Sequence, residues 1–153
     1  MYLENQNWEK QLESCNVLRQ ALKFNPEKFT PQSIQTATNQ LLKLAESLRS
    51  LLAKAAIQTL QEFFTVLGPQ MDSHVEASIN VILKRCTDTN VFLSESSRLA
   101  LEDMCLHCNE QKLLLALLPQ ATHKSPAIKS QIARCLEQVI KQLGPRLPQA
   151  PSR

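Results

Sequence analysis

A long Leu- and Ala-rich segment near the middle of the chain restricts the fold more than any other feature. It reads LRSLLAKAAIQTLQEFF from Leu48 to Phe64, and its apolar residues recur every three or four positions. An amphipathic α-helix has this period. We expect a helix over residues 48–66, capped by Ser47 and ended by Gly68-Pro69. Its predicted inward face consists of Leu51, Leu52, Ala55, Thr59, Leu60, Phe63 and Leu67.

The same period predicts six more helices and no strand. Thr30-Pro31 and Ser125-Pro126 each combine a good N-cap with a proline suited to the first helical turn. Asp72 or Ser73 is the predicted cap of the fourth helix. The last helix has a predicted inward face that includes Ile140, and Gly144 is placed at its C′ position. The six helices are expected over residues 8–24, 31–46, 73–86, 91–108, 110–118 and 126–143.

Glycine is scarce, and this excludes several kinds of fold and site. Of 153 residues, only Gly68 and Gly144 are glycine. Hairpin turns with positive φ and phosphate-binding loops usually need more of them. Hydrophobic residues make up 43% of the chain, which is enough for one continuous core. We therefore expect a single all-α domain.

The long helices begin at a regular spacing. Ser47, Thr87 or Asn90, and Ser125 each precede a long helix at intervals of about 40 residues, the period of HEAT and armadillo repeats. Each long helix also follows a shorter or more polar one. A closed bundle of the same helices is the alternative. The regular spacing favours a HEAT/armadillo-like α-solenoid of about seven helices, or about three and a half helix hairpins.

The sequence shows no constellation typical of catalysis or metal binding. Cys105 and Cys108 flank His107, but a structural zinc site needs about four ligands and there is no second CxxC. Both cysteines fit the core stripe of a helix, so we interpret them as buried thiols. The three histidines are scattered, and no Ser, Cys or carboxylate has an evident base partner. We expect no catalytic residue, no metal, no cofactor and therefore no enzyme.

The net charge limits the classes of partner that the chain is expected to bind, and its cysteines indicate the cellular compartment. The net charge is +3 and the pI about 8.7, which suits an acidic protein partner but lacks the dense Lys/Arg cluster typical of nucleic-acid binding. No apolar run approaches the ~18 residues of a membrane helix. The five cysteines are odd in number and lie in helical patterns, which indicates a reducing compartment. We expect a cytoplasmic monomer that binds neither nucleic acid nor membrane.

Four short segments recur in order at the repeat spacing across most of the chain. They are NWEK at 7–10, LRS at 48–50, DTNVFL at 88–93 and HKSPAIK at 123–129. Together these segments resemble a TOG domain, the HEAT-repeat module of microtubule regulators. The resemblance is closest to the crescerin-like group, the TOG array regulators of axonemal microtubules, and then to the CLASP proteins.

This resemblance implies a flat stack of helices whose corners bind tubulin and regulate microtubule dynamics. In that family a Trp in the first corner and cations in later corners contact tubulin, which is acidic. Such corner cations steer the partner, and an indole supplies apolar contact area. The implied location is the cytoskeleton, including the cilium or axoneme. Carried over by position, the implied tubulin-binding residues are Trp8, Arg49, Asn90, Val91, Lys124 and Lys129.

Two departures from the TOG pattern keep a second interpretation open. A full TOG domain has more repeats than this chain has room for, and the third corner, residues 87–91, contains no cation. The alternative is a degenerate HEAT scaffold that binds a different protein. We assign residues 1–144 to one shortened TOG-like domain. Residues 145–153 are rich in proline and lack periodicity, so we expect a disordered tail.

Overall fold

The computed structural model describes residues 7–144, which form seven α-helices joined by short connections. Three of the connections contain 3-10 turns, at Pro26–Lys28, Gly68–His74 and Leu118–Gln120. No strand occurs within the described residues, as the periodicity predicts. The predicted tail at 145–153 lies outside them. The helices are α1 (Trp8–Phe24), α2 (Pro31–Ala45), α3 (Ser50–Leu67), α4 (Val75–Arg85), α5 (Val91–His107), α6 (Glu110–Leu117) and α7 (Pro126–Leu143).

The helices stack in two layers. In one layer α1, α3, α5 and α7 pack side by side in chain order, and in the other α2 packs on α4 and α4 on α6. Each even-numbered helix also packs on the odd-numbered helix that follows it. This is the arrangement of stacked helix hairpins. The predicted HEAT-like α-solenoid is therefore confirmed in preference to a closed bundle.

The Ala-rich helix α3 lies at the centre of the core. Ala53 and Ala56 are completely buried, and α3 packs against both α1 and α5. Further along the helix, Phe63 is also completely buried. Its ring meets the ring of Phe29 edge to face, with centroids 5.6 Å apart and planes at 82°. The segment that dominates the sequence thus also dominates the packing.

Side-chain oxygens cap five of the seven described helices, and such a cap is worth about 1 kcal/mol. The predicted caps at Thr30 and Ser125 are confirmed, and Pro31 and Pro126 occupy the first turns as expected. At Thr30 the cap is reciprocal, because the backbone N–H of Thr30 also donates to Ser33 Oγ. The capping residues are Asn7, Thr30, Asn90, Asn109 and Ser125.

Two predicted N-caps are wrong. Ser47 Oγ accepts a hydrogen bond from the N–H of Arg49, and Arg49 itself becomes the N-cap of α3 with extended backbone and no side-chain cap bond. The helix therefore begins at Ser50 and leaves Leu48 outside it. Before α4, the cap predicted at Asp72 or Ser73 is absent because Gly68–His74 already forms a 3-10 helix that leads directly into Val75.

One predicted C-terminal signal is also wrong, whereas the other is confirmed. Gly144 is the C-cap of α7 with φ −44°, so its backbone stays right-handed and its N–H donates to Ile140 C=O. Gly68 ends α3 as expected, with φ +54°, a conformation that glycine adopts without the steric cost of a Cβ.

Two residues predicted to face the core are exposed. Leu51 lies in the first turn of α3, at the border of the stack, and 57% of its surface is accessible. Ile140 is 54% accessible because it lies on a side of α7 that no other described helix covers. The other residues listed for the inward face of α3 are buried. None of the described helices has the length and apolar character needed to cross a bilayer.

Candidate protein-binding edge

The N-terminal ends of α1, α3, α5 and α7 lie along one edge of the stack, which we call the N-terminal edge. Near the helix starts, α1 contacts α3 through Trp8 and Arg49, and Lys54 of α3 lies over the ring of Phe92 on α5. Further along, Arg19 of α1 pairs with Glu62 of α3, and Gln61 of α3 with Asp103 of α5. These contacts show that the three helices run parallel. Because α6 reverses the chain direction, α7 starts at the same edge.

Trp8 and Arg49 form one unit at the first two corners. The guanidinium carbon of Arg49 lies 4.7 Å from the centre of the Trp8 ring. Trp8 is only half-exposed, since its other side packs against the core. A cation at the N-terminus of α3 opposes the helix dipole by about 0.3–1 kcal/mol. The cation–π contact contributes about 0.5–1 kcal/mol at an exposed site and offsets that cost.

At the third corner, the side chain and the backbone N–H of Asn90 are both engaged in hydrogen bonds within the chain. Its Oδ1 accepts from the N–H of Leu93 at 3.1 Å, and its own N–H donates to Asp88 Oδ1 at 2.8 Å. The Asn90 side chain is half-buried, so it positions the start of α5 and offers a partner little free hydrogen-bonding capacity. The adjacent Val91 is 66% accessible and points its apolar surface outward.

Arg85 links the second and third corners, and sequence reasoning missed this role. From the last turn of α4, its Nε donates to Ala45 C=O at 2.9 Å, and Nη2 donates to Ser47 C=O. Its Nη1 pairs with Asp88 Oδ2 at 3.3 Å. The sequence shows a cation just before the third corner, but partners some 40 residues away cannot be read from it. In the structure Arg85 holds the corner that carries Arg49 beside the corner that carries Asn90.

On the second and third corners, exposed apolar side chains lie near Arg49 and Lys54, two cations of the second corner and α3. Leu48 is 99% accessible and Phe92 is 70% accessible, and the Nζ of Lys54 lies 5.5 Å from the centre of the Phe92 ring. Leu51 and Val91 add to this apolar surface. Exposed apolar side chains rimmed by charges are typical of protein interaction sites. The apolar period predicts Leu48 inside the helix and Leu51 on its core face, so the exposed apolar surface is not predicted from the sequence.

Lys124 and Lys129 belong to the fourth corner. Lys124 is exposed in the connection that precedes α7, next to the cap Ser125. Lys129 is exposed one turn into α7, and its backbone N–H donates to Ser125 C=O at 2.9 Å. The fourth corner thus presents two cations on either side of one serine. All six predicted contact residues lie at the N-terminal edge, with Trp8 and Asn90 less available than Arg49, Val91 and the lysines.

The cysteines have the environment of structural thiols. All five are free and buried. Burial raises the pKa of Cys15 to about 11 and the pKa of Cys86 and Cys108 to about 12, so these thiols stay protonated near neutral pH. The hydrogen bond between Cys105 and Cys135 raises the pKa of Cys105 and lowers the pKa of Cys135, while burial opposes the ionisation of both thiols. Four of the five thiols thus lack the lowered pKa of a nucleophilic cysteine, and the fifth, Cys135, is buried.

His107 does not complete a catalytic pair with Cys105. The imidazole is exposed, and its Nδ1 lies 2.9 Å from the backbone oxygen of Asp103 in the same helix. The Cys105 thiol is buried on the core side of α5. Among residues 7–144, no group of three or more His, Cys, Asp or Glu side chains is arranged to hold a metal ion.

Comparison with known proteins matches this chain to a family over nearly its whole length. The sequence model of the family described as CLASP N terminal matches residues 3–150. The chain is 24% identical over 144 residues to TOG array regulator of axonemal microtubules protein 1 of Mus musculus, covering 94% of this chain and 8% of that protein. It is 27% identical over 128 residues to Protein peg1 of Schizosaccharomyces pombe, covering 80% and 9% respectively.

The chain spans only 8% and 9% of the lengths of the mouse and yeast relatives named above. The human counterpart of the mouse protein is 26% identical over 116 residues, which is 76% of this chain but 7% of that protein. Among solved structures, an engineered protein superposes with a TM-score of 0.58 at 18% identity, covering 90% of this chain and 36% of the engineered chain. At that identity the match supports the fold alone.

Proposed function

The chain belongs to the CLASP N-terminal family, and on this premise we propose that it is a non-enzymatic module that binds tubulin or microtubules through the N-terminal edge. The similarity to a TOG array regulator of axonemal microtubules supports this choice of partner. We place the module in residues 1–144. We further propose that it acts as a monomer, without a cofactor, on the microtubule cytoskeleton of the cytoplasm, including the axoneme.

One observation carries the proposal: the N-terminal edge combines exposed cations with exposed apolar side chains. Arg49, Lys124 and Lys129 supply positive charge, and Leu48 and Phe92 supply apolar area beside it. An acidic protein surface is attracted to such an edge over a distance of about 10 Å at 0.1 M salt. The apolar side chains then provide the contacts that hold the complex together.

Rigid presentation is the proposed mechanism. Each helix hairpin fixes one corner, and the stacking of hairpins fixes the distance between corners. Arg85 adds a direct link between the second and third corners. Because the partner-binding groups are already in place, little conformational entropy is lost on binding. In this scheme Trp8 supports Arg49 from beneath, and Asn90 orients Val91 and Phe92.

A charge reversal with a matched control tests the proposal. Arg49→Glu places an anion on the N-terminal edge, whereas Lys28→Glu makes the same charge change on the opposite edge, in the turn between α1 and α2. Each variant is mixed with αβ-tubulin, and complex formation is followed by size-exclusion chromatography and titration. We expect Arg49→Glu to weaken binding at least about ten-fold, as for a disrupted charge contact, and Lys28→Glu to change it less than about two-fold.

The outcomes separate the two candidate functions. Equal affinity of Arg49→Glu and the unchanged chain would remove the N-terminal edge as the binding surface. Absence of any complex with the unchanged, folded chain would remove tubulin as the partner and favour the HEAT scaffold for another protein. The half-buried Trp8 and the cation-free third corner are the observations that give this second candidate its weight.

A further inference from the structure

The fourth corner contains a serine placed for covalent modification. Ser125 is half-buried and is followed by Pro126, which completes the dipeptide recognised by proline-directed protein kinases. In the connection before it, Ala121, Thr122 and Lys124 are exposed. Ser125 has extended backbone, with φ −77° and ψ 120°, and α7 begins only after it. We propose that Ser125 is phosphorylated by a proline-directed kinase and that its phosphate neutralises Lys124 and Lys129. The expected consequence of the modification is weaker tubulin binding, and this part of the inference rests on the proposed function.

The chemistry is an ordinary phosphoryl transfer from ATP. The Ser125 Oγ forms a bond to the γ-phosphorus of ATP, and the bond between that phosphorus and the β–γ bridging oxygen breaks. ADP leaves with the electron pair of the broken bond, and the hydroxyl proton passes to the base of the kinase. The product carries about −1.5 to −2 charges at pH 7 in place of a neutral hydroxyl.

A second Ser/Thr-Pro dipeptide in the chain offers a comparison. Thr30-Pro31 is also an N-cap followed by proline, but it lies on the opposite edge, before α2. Thr30 Oγ1 accepts from Ser33 N–H at 3.1 Å, while Thr30 N–H donates to Ser33 Oγ at 2.8 Å. Ser125 Oγ has one longer bond, 3.4 Å from the N–H of Ile128. The Ser125 hydroxyl is therefore the more easily released of the two.

The surroundings of Ser125 fit a phosphate. Lys124 is its chain neighbour and Lys129 lies four residues on, one helical turn away on the same side of α7. The N–H of Ser125 donates to His123 Nδ1 at 3.0 Å, so an imidazole also lies close. A phosphate at a helix N-terminus is favoured by the helix dipole and pairs readily with nearby cations. Modification would thus remove two positive charges from the edge without disrupting the fold.

The experiment uses the whole chain, a purified proline-directed kinase and ATP, with the modified residues mapped by mass spectrometry. Ser125→Asn blocks modification and keeps a good N-cap, since Asn7, Asn90 and Asn109 already cap helices in this protein. Thr30→Asn is the matched variant on the opposite edge. We expect phosphate on Ser125 and at least about ten-fold weaker tubulin binding after modification, comparable to the loss of two charge contacts. Ser125→Asn should abolish this response, and Thr30→Asn should retain it.

A second measurement does not depend on tubulin. The ionisation of the phosphate, near pH 6 when free, is followed by ³¹P NMR. Pairing with the lysines predicts a lower pKa than in the urea-unfolded phosphoprotein, and Lys129→Gln should raise it. Absence of phosphate on Ser125, a phosphate pKa unchanged by folding, or unaltered tubulin binding by the modified chain would each overturn the inference. If the unmodified chain binds no tubulin, the proposed function fails, while phosphate mapping and titration still decide the modification.

Discussion

Replacement of Arg85 by alanine should destabilise the protein more than any other surface-accessible change at the N-terminal edge. The Arg85 side chain is 19% exposed and bonds to the carbonyls of Ala45 and Ser47 and to the carboxylate of Asp88. Hydrogen bonds from a charged donor contribute about 1.5–3 kcal/mol each when buried. The partly exposed pair with Asp88 adds at most about 1 kcal/mol. Allowing for exposure, we expect Arg85→Ala to cost about 2–4 kcal/mol of unfolding free energy.

Urea unfolding, followed by circular dichroism, measures this loss. For a chain of this length, the expected decrease in Tm is about 5–15 °C. Lys84→Ala is the matched control, because it removes the same charge from the preceding, exposed position and should cost less than about 0.5 kcal/mol. Arg85→Lys should recover less than half of the loss, since an ammonium cannot reproduce the planar fork. An Arg85→Ala variant as stable as Lys84→Ala would refute the role assigned to Arg85 as a link between corners.

Three further predictions concern the core, the thiols and the exposed edge. Phe63→Ala should lower the unfolding free energy by about 3–5 kcal/mol in urea titrations, because it empties a completely buried site. The pKa of Cys15 is raised from 9.0 to about 11. The thiol therefore makes its full contribution to the unfolding free energy below pH 9, and this contribution is lost as the pH rises to 11. The difference in stability between pH 8 and pH 11 should therefore be smaller in Cys15→Ala, by up to about 2–3 kcal/mol. Leu48→Ala should leave Tm unchanged and weaken tubulin binding at least about three-fold, whereas Leu115→Ala, an exposed leucine on α6, should change neither.

Secondary structure could be predicted closely because it depends on local periodicity and capping. The bounds of α1 and the start of α7 follow from the apolar period and from Ser125-Pro126, and both agree with the structure. The errors occur where a neighbouring segment overrides the local signal. Arg49 displaces Ser47 as the cap of α3, and the 3-10 turn before α4 replaces the cap expected at Asp72 or Ser73.

The candidate edge could be predicted only in part. The resemblance to TOG domains places Trp8, Arg49 and Lys124 at the first, second and fourth corners, and in the structure they lie at the starts of α1, α3 and α7. Contacts between residues that are far apart in the chain cannot be predicted from the sequence. Stacking of Arg49 on Trp8 and the bonds of Arg85 to the preceding corner depend on how hairpins meet, and no local pattern encodes this. The exposure of Leu48 has the same origin, because it results from the displaced start of α3.

Hydrogen exchange of the chain with and without αβ-tubulin maps the contact surface without altering any residue, so it is the sharpest test of the N-terminal edge as the binding surface. If tubulin binds this edge, amide exchange slows in the complex at residues 46–54, 86–92 and 121–129. Exchange is then unchanged at the opposite edge, at residues 25–30 and 68–74. Slower exchange at the opposite edge, with the N-terminal edge unchanged, would show that tubulin binds elsewhere on the molecule.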